Sequence, residues 1–246
     1  MVEINFANAH FDFPIYNTSS RSFASRMLNV ATGGNLDKDA SGQVVVKALT
    51  DITFTITEGE RVGLIGHNGA GKSTLLRALT GAFEPSLGSA SISGQVGSLI
   101  DLSLGINSEA TGMENIVIRA TLLGMSRAEI RSHLDEIIEF SELGRFIDMP
   151  VRTYSTGMNL RLAFAVSTVF RPQILLMDEW LSVGDENFRK KAEKRLRDIT
   201  EQSKILVIAS HSRELIERTC NRVLWLDHGQ IRADGPVSEV VPLYFS

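Results

Sequence analysis

The chain has 246 residues, of which 43% are hydrophobic and 22% charged, a balance typical of a globular protein with a sizeable core. Its formal net charge of −4 argues against a nucleic-acid-binding protein, which normally carries a basic surplus on one face. No apolar run approaches the roughly 20 residues of a membrane-spanning helix. Because the chain has one cysteine, Cys220, and its start lacks the features of a secretory signal, we expect a cytosolic protein.

The first quarter of the chain predicts β-strands separated by a polar segment. Residues 4–13 alternate imperfectly between apolar and polar side chains and predict a strand, and residues 52–56 alternate more clearly. A short apolar strand follows at residues 61–65. Residues 17–43 are largely polar, and we interpret them as an insertion, in the simplest case a surface loop.

The middle of the chain predicts helices, over residues 111–146. Ser126 and Glu129 have the spacing of a capping box, in which each residue bonds the other's backbone N–H at the start of a helix. An apolar stripe follows, and we expect it to pack into a core. Its members are Ile130, Leu134, Ile137 and Ile138.

From Gln173 onward, strands and helices alternate. We predict a strand at 174–177, a helix at 187–200, a strand at 204–210, a helix at 213–220 and a strand pair around 227–229. This alternation predicts an α/β fold with a parallel sheet and crossover helices. The helix at 187–200 is rich in lysine and arginine, which is typical of a solvated face.

A glycine-rich segment between a predicted strand and a predicted helix matches the phosphate-loop pattern. It consists of Gly66, His67, Asn68, Gly69, Ala70, Gly71, Lys72, Ser73 and Thr74. Glycines let backbone N–H groups turn inward around a phosphate. Lys72 is placed to reach the β- and γ-phosphates, and Ser73 to ligate magnesium. The segment therefore predicts a nucleoside triphosphate site.

Two carboxylates and a histidine follow later apolar strands. Asp178 ends the strand ILLM and is placed to hold magnesium, while Glu179 can orient and deprotonate an attacking water. His211 follows the strand at 204–210, where it can contact the γ-phosphate or the water. The simpler interpretations are solubilising carboxylates at a strand end and a structural histidine. We predict catalytic roles for Glu179, His211 and Lys72.

A second segment, Tyr154-Ser155-Thr156-Gly157-Met158, opens an apolar helix and also suits a phosphate. The chain's own phosphate loop already accounts for one nucleotide. The economical solution is a head-to-tail pair of chains, in which each nucleotide lies between one chain's Lys72 and the other chain's Ser155 and Gly157. Asp185 is then expected near the shared seam.

These motifs, in this order and spacing, resemble the nucleotide-binding subunit of ATP-binding cassette (ABC) transporters over residues 4–234. The resemblance rests on the phosphate loop, YSTGM, ILLMDE, the SVGD of residues 182–185, and His211. The resemblance implies a P-loop NTPase fold: an ABC ATPase core with a mixed sheet, an antiparallel β subdomain and an inserted α-helical subdomain.

The same resemblance implies how the chain is divided. We expect a single ABC ATPase domain over 1–246, with 1–110 and 147–246 as the catalytic core, including the polar insertion at 17–43. The helical subdomain, which carries the YSTGM signature, is expected over 111–160. No C-terminal carbohydrate-binding domain is expected.

Two departures from the family pattern point to one branch. The common signature LSGGQ appears here as YSTGM, and the loop at 99–107 has no glutamine. Both features resemble the polysaccharide exporters, which move O-antigen, capsule or teichoic-acid chains. The resemblance implies an ATPase that uses ATP and Mg²⁺, a homodimer with ATP at its interface, and a separate integral-membrane permease. It also implies a lipid-linked glycan as cargo and a peripheral location on the cytoplasmic face of the inner membrane.

The resemblance leaves two residue assignments open. In the family, a glutamine of this loop contacts magnesium. Here that contact falls to Asp101, or is lost if Leu102 is the residue that corresponds to the glutamine. The aromatic side chain that stacks on adenine in the family corresponds to Phe13, with Tyr16 as the alternative. A role in core packing is an equally good interpretation of this aromatic residue.

Two other functions predict different sequence features. An ABC ATPase for another cargo, such as an importer subunit, predicts the ordinary LSGGQ and a glutamine loop. A soluble ABC-type conformational clamp predicts two cassettes in one chain or a long coiled-coil insertion, with basic surfaces. The sequence has none of these features, so polysaccharide export is the leading hypothesis.

Overall fold

The computed structural model describes residues 1–14, 36–38, 44–102, 105–179 and 186–246, which form two compact units. The first unit comprises Met1–Gly94, Leu176–Glu179 and Lys204–Ser246, and the second comprises Gln95–Leu175 and Trp180–Ser203. Within the described part of the chain, no helix combines the length and apolar character needed to cross a bilayer.

Strands predominate before residue 100, helices follow up to residue 169, and strands and helices alternate from residue 174 to residue 227. The strands are β1 (Glu3–Pro14), β2 (Leu36–Lys38), β3 (Val44–Thr57), β4 (Arg61–Ile65), β5 (Leu87–Ser93), β6 (Val96–Leu99), β7 (Ile174–Asp178), β8 (Ile205–Ala209), β9 (Arg222–Asp227) and β10 (Gln230–Pro236). The α-helices are α1 (Lys72–Ala78), α2 (Gly112–Leu122), α3 (Arg127–Ser141), α4 (Thr156–Val169), α5 (Glu186–Gln202), α6 (Arg213–Thr219) and α7 (Val237–Tyr244). Two short 3₁₀ helices span Gly144–Asp148 and Val151–Thr153.

An antiparallel sheet of the first unit has the strand order β2-β3-β1-β5. In the register of β1 with β3, Phe6 lies opposite Phe54, and their buried rings stack 5.0 Å apart. The strands predicted near the start of the chain are therefore confirmed, although β3 begins well before the predicted residue 52. β2 lies within the predicted insertion at 17–43, most of which falls outside the described residues.

A second sheet contributes β10-β9-β4-β8 and the end of β7 to the first unit. β4 pairs in parallel with both β8 and β9, and β9 pairs antiparallel with β10, so the sheet is mixed. β4 is almost entirely buried and β8 is entirely buried, which is the pattern of strands covered on both faces. This arrangement confirms the predicted parallel sheet and the strand pair around residues 227–229.

The second unit is mainly helical, and α4 contacts both α2 and α3. Both α2 and α3 begin with a capping box, Thr111 with Glu114 and Ser126 with Glu129, and the second of these was predicted. In the predicted stripe of α3, Ile130 and Ile137 are buried, while the other two members are half-buried. β6 lies beside the start of β7, where two backbone amides donate to the Gln95 carbonyl at 3.0 Å.

The basic helix α5 is only partly a solvated face. Arg189 and Lys190 are exposed, as predicted. Lys191 and Arg195 instead lie over the Phe140 ring of α3, 4.7 and 4.1 Å from its centroid. Their aliphatic stems can cover apolar surface while the charged groups face the ring, so these two cations contribute to packing within the second unit.

A buried cation also stabilises the second unit. Arg119 of α2 is 4% exposed, and its Nε and Nη2 donate to Ser167 Oγ at 3.1 and 2.9 Å. Burial lowers the pKa of Arg119, and the Asp101 carboxylate opposes that shift. Asp101, the predicted magnesium contact, therefore supplies negative charge to Arg119. Leu102, the alternative at this position, is buried.

We expect Asp101→Asn to lower the free energy of unfolding by about 1–3 kcal/mol, because it removes the charge that offsets the burial of Arg119. The urea midpoint, measured without Mg²⁺ or nucleotide, tests this. The matched control is Asp135→Asn at an exposed position of α3, with an expected change within about 0.5 kcal/mol. An Asp101→Asn chain as stable as the wild type would exclude the structural role and leave only the predicted metal contact.

Candidate active site

The phosphate loop leaves the end of β4 in a shape that requires glycine. Gly66 has φ 149°, and a Cβ there would lie 2.3 Å from the Leu226 carbonyl oxygen. Gly71 has φ 106° directly before α1. The loop is also tied to the β9–β10 turn, because Gly229 N donates to Ala70 O at 3.0 Å. The backbone path around the expected phosphate is therefore fixed by contacts within the first unit.

Lys72, the first residue of α1, is held inside its own loop. Its side chain is 8% exposed, and Nζ donates to the Gly66 and His67 carbonyls at 2.6 and 3.1 Å. Burial lowers the pKa of Lys72, while the carboxylates of Asp178 and Glu179 act in the opposite direction. A phosphate is a stronger acceptor than a carbonyl, so the ammonium group can exchange these bonds for a charged ligand.

Ser73 and Asp178 place two oxygen atoms that can act as metal ligands at the base of the loop. Ser73 Oγ donates to Asp178 Oδ2 at 3.0 Å. Neighbouring ligands of an octahedral Mg²⁺, each at 2.0–2.1 Å from the ion, are about 3.0 Å apart. Hydroxyl, carboxylate and phosphate oxygens are also the ligands that this ion prefers, so the pair fits magnesium in spacing and in chemistry.

Glu179 follows β7 in an unusual backbone conformation, and two neighbours hold its carboxylate. Its φ is 68°, which costs a non-glycine residue about 1–2 kcal/mol. Its amide donates to Ala209 O at 2.8 Å. Ser210 Oγ donates to Oε1 at 2.5 Å, and His211 N donates to Oε2 at 3.3 Å.

These groups line one cavity of about 380 Å³, within the usual range for small-ligand sites. Most of the phosphate loop from Asn68 to Thr74 contributes to its wall, together with Val46 and Ala48 of β3. The residues at the carboxyl ends of β7 and β8 complete the wall. The predicted residues that it brings together are Asn68, Gly69, Gly71, Lys72, Ser73, Thr74, Asp178, Glu179 and His211.

Gly66, His67 and Ala70 belong to the loop but are not among the described residues that line the cavity. The His67 imidazole instead contacts Asn68 O through Nδ1 at 2.7 Å and Asp227 Oδ1 through Nε2 at 3.1 Å. Both partners are acceptors, and the tautomer of the ring decides which nitrogen donates. His67 thus ties the loop to β9 through its side chain, and only its backbone is left to face a phosphate.

The predicted adenine contact lies beside the cavity wall. The Phe13 ring packs edge-on against Phe83, with centroids 5.1 Å apart, and Phe13 pairs with Val46 across β1 and β3. Val46 is one of the residues that line the cavity, and Phe13 is not among them in the described part of the chain. Tyr16, the alternative, and Asp185, predicted at the seam, lie outside the described residues.

The YSTGM segment lies in the second unit and opens α4 as predicted. Ser155 is the N-cap, and its Oγ accepts from Met158 N at 3.2 Å. Tyr154 is buried, and its hydroxyl donates to Phe146 O at 2.6 Å. Ser155 itself is exposed, and a Cβ at Gly157 would meet no atom closer than 3.8 Å. The start of this helix is therefore open to an approaching group.

The site residues that were missed in the sequence include Ser210, Val46, Ala48 and Ala209. Ser210, which is 2% exposed, binds the Glu179 carboxylate, while Val46 and Ala48 supply an apolar part of the cavity wall. Ser210 follows β8 directly before His211, at the edge where the ends of parallel strands meet, and this position was the available signal. No local pattern marks Val46 or Ala48, because their role depends on how β3 passes the loop.

Comparisons with known proteins identify the family of the chain. Residues 49–182 match the family model described as ABC transporter. The chain is 47% identical over 231 residues to the O-antigen export system ATP-binding protein RfbE of Yersinia enterocolitica, covering 94% of this chain and 97% of that protein. It is also 47% identical over 223 residues to the O-antigen export system ATP-binding protein RfbB of Myxococcus xanthus, of whose length it spans 50%.

Solved structures agree on the fold. A dimeric structure of an ATP-binding cassette in a post-hydrolysis state, bound to ADP and Pi, matches with a TM-score of 0.66 at 20% identity. The match covers 95% of this chain and 98% of that one. With a matching family model, a near full-length relative and the shared fold, the chain belongs to the ABC transporter family and has the fold of its ATP-binding cassette.

Proposed function

We propose that this chain is the ATP-hydrolysing subunit of a transporter that exports a lipid-linked polysaccharide. ATP hydrolysis is supported by the cavity that brings together Lys72, the Ser73–Asp178 pair and Glu179. The cargo is supported by the 47% identity along nearly the whole of an O-antigen export ATP-binding protein.

In the proposed reaction, the loop amides and Lys72 hold the phosphates of ATP. Glu179 accepts a proton from a water whose oxygen bonds to the γ-phosphorus, and the bond from that phosphorus to the β–γ bridging oxygen breaks, releasing ADP and phosphate. Ser73 and Asp178 would hold Mg²⁺, with Asp101 as a further ligand. The ion would neutralise negative charge on the phosphates. His211 contacts the γ-phosphate or the water.

We infer that two copies of the chain share their nucleotides. Each ATP is held by Lys72 of one copy and by Ser155 and Gly157 of the other, with Asp185 near the seam. The exposed start of α4 and the dimeric state of a cassette with the same fold support this inference. Closure of the dimer on ATP and its reopening after hydrolysis then move a membrane partner.

The remaining assignments follow from the same proposal. The partner is a separate integral-membrane permease, and the chain lies peripherally on the cytoplasmic face of the inner membrane. Phe13, next to Val46 of the cavity wall, stacks on adenine. The chain is one ABC ATPase domain, in which residues 111–160 form the helical subdomain.

We expect Glu179→Gln to lower ATP turnover by about 10²-fold or more and to leave ATP binding intact, because only the proton acceptor is lost. Phosphate release and the affinity for a fluorescent ATP analogue measure the two effects. Glu84→Gln, at an exposed site of the same unit, is the matched control and should behave as wild type. Near wild-type turnover in Glu179→Gln would remove Glu179 as the base.

A mixing experiment tests the shared seam. Ser155→Arg and Lys72→Ala chains should each be inactive alone, because every site of each homodimer contains a defect. On random pairing at equal amounts, about one quarter of all sites are intact, so mixing should restore turnover above the sum of the separate chains. A Ser155→Arg chain that is active alone, with additive mixtures, would contradict the shared site.

The cargo is tested by depleting the chain in its source cell and staining the glycan in intact and opened cells. We expect lipid-linked polysaccharide to accumulate inside, and wild-type chain but not Glu179→Gln to restore surface glycan. Normal surface glycan after depletion would leave a cassette ATPase with a different cargo.

A further inference from the structure

We propose that Ser210 is a positioning residue that holds the Glu179 carboxylate where it can accept the proton of the attacking water. The inference rests on the proposed function, since it assumes that Glu179 is the base. Ser210 itself touches neither the nucleotide nor the water in this proposal. Its effect on the reaction passes through Glu179.

The Ser210 hydroxyl is oriented from both sides. Its Oγ accepts a hydrogen bond from Ser212 N at 3.0 Å, so its own proton is directed to Glu179 Oε1 at 2.5 Å. A carboxylate oxygen is a strong acceptor for a hydroxyl donor. The Ser210 amide donates to the Leu64 carbonyl of β4 at 3.2 Å, which fixes the serine to the sheet.

Glu179 needs such a partner because, among the residues that the structure describes, little else restrains its side chain. The residue is exposed at the end of β7, and a glutamate side chain has three rotatable torsions. The second contact of the carboxylate, from His211 N at 3.3 Å, is longer. With Ser210 present, the carboxylate is confined to the cavity wall beside the Ser73–Asp178 pair.

The left-handed backbone conformation of Glu179 also supports a functional position for its carboxylate. Its φ of 68° is rare for a residue with a side chain, and such conformations concentrate at functional sites. The Glu179 amide donates to Ala209 O, the residue directly before Ser210, at 2.8 Å. The turn after β7 and the chain after β8 are therefore joined by one backbone and one side-chain hydrogen bond, which together set the position of the carboxylate.

The test compares ATP turnover in Ser210→Ala and Ser210→Thr chains. We expect Ser210→Ala to lower kcat by about 10- to 100-fold, because the base leaves its productive position, with KM for ATP changed less than about threefold. Ser210→Thr keeps the hydroxyl and should stay within about threefold of wild type. A kcat for Ser210→Ala within threefold of wild type would overturn the proposal.

The matched control is Ser203→Ala. Ser203 is also buried, and its hydroxyl donates to the Thr200 carbonyl at 2.8 Å, so this variant loses a buried hydrogen bond with no carboxylate partner. We expect a lower melting temperature with kcat unchanged. If Ser210→Ala does not fold, Ser210→Cys preserves the volume with a much weaker donor, and its kcat decides the question by the same criterion.

A double-mutant cycle separates positioning from a general structural effect. In the Glu179→Gln background, Ser210→Ala should lower the residual rate less than about twofold, because the base that it positions is already absent. A further loss as large as in the wild-type background would show that Ser210 acts elsewhere. The cycle also separates the two proposals. An inactive Glu179→Gln chain with an unaffected Ser210→Ala chain refutes only the role of Ser210, whereas an active Glu179→Gln chain refutes the proposed base and this inference with it.

Discussion

The parallel register between β4 and β8 is the constraint on which the active site depends. Leu64 lies opposite Ala209, so both strands end at the same edge of the sheet. The phosphate loop continues from one strand, and Ser210 continues from the other. Because alternate residues of a strand point to opposite faces, a shift of β8 by one residue against β4 would displace Ser210 from the Leu64 carbonyl and from the phosphate loop, even if every strand were retained. The chemistry therefore relies on pairing between segments that are far apart in sequence.

Within this frame, the polar groups of the site satisfy one another. Lys72 bonds to carbonyls of its own loop, Ser73 to Asp178, and Ser210 to Glu179. The bonds of Lys72 and Ser210 compensate for the desolvation of two buried polar groups. Nucleotide binding then exchanges one set of hydrogen bonds for another, which allows a preformed site to bind a highly charged ligand without first rebuilding its backbone.

The sequence predicted those parts of the structure that depend on local patterns. The alternation of strands and helices from Gln173 onward predicted the parallel sheet, and the glycines and Lys72 predicted the phosphate loop. α7 was not predicted, because it contains Pro242 and is stabilised by the burial of Val240 and Val241. Ser210 was missed because its carboxylate partner lies 31 residues earlier in the chain. The His67 side chain turns to Asp227, a contact across 160 positions that no motif encodes.

The left-handed backbone at Glu179 has an evolutionary consequence. Glycine is the residue that best tolerates this conformation, and a single base change converts a glutamate codon into a glycine codon. Such a replacement would relieve backbone strain while removing the carboxylate. With Glu179 as the proposed base, folding stability and catalysis would therefore favour different residues at this position, and selection for turnover would keep the glutamate. In a lineage released from that selection, a glycine at position 179 would give a folded cassette without its proposed base.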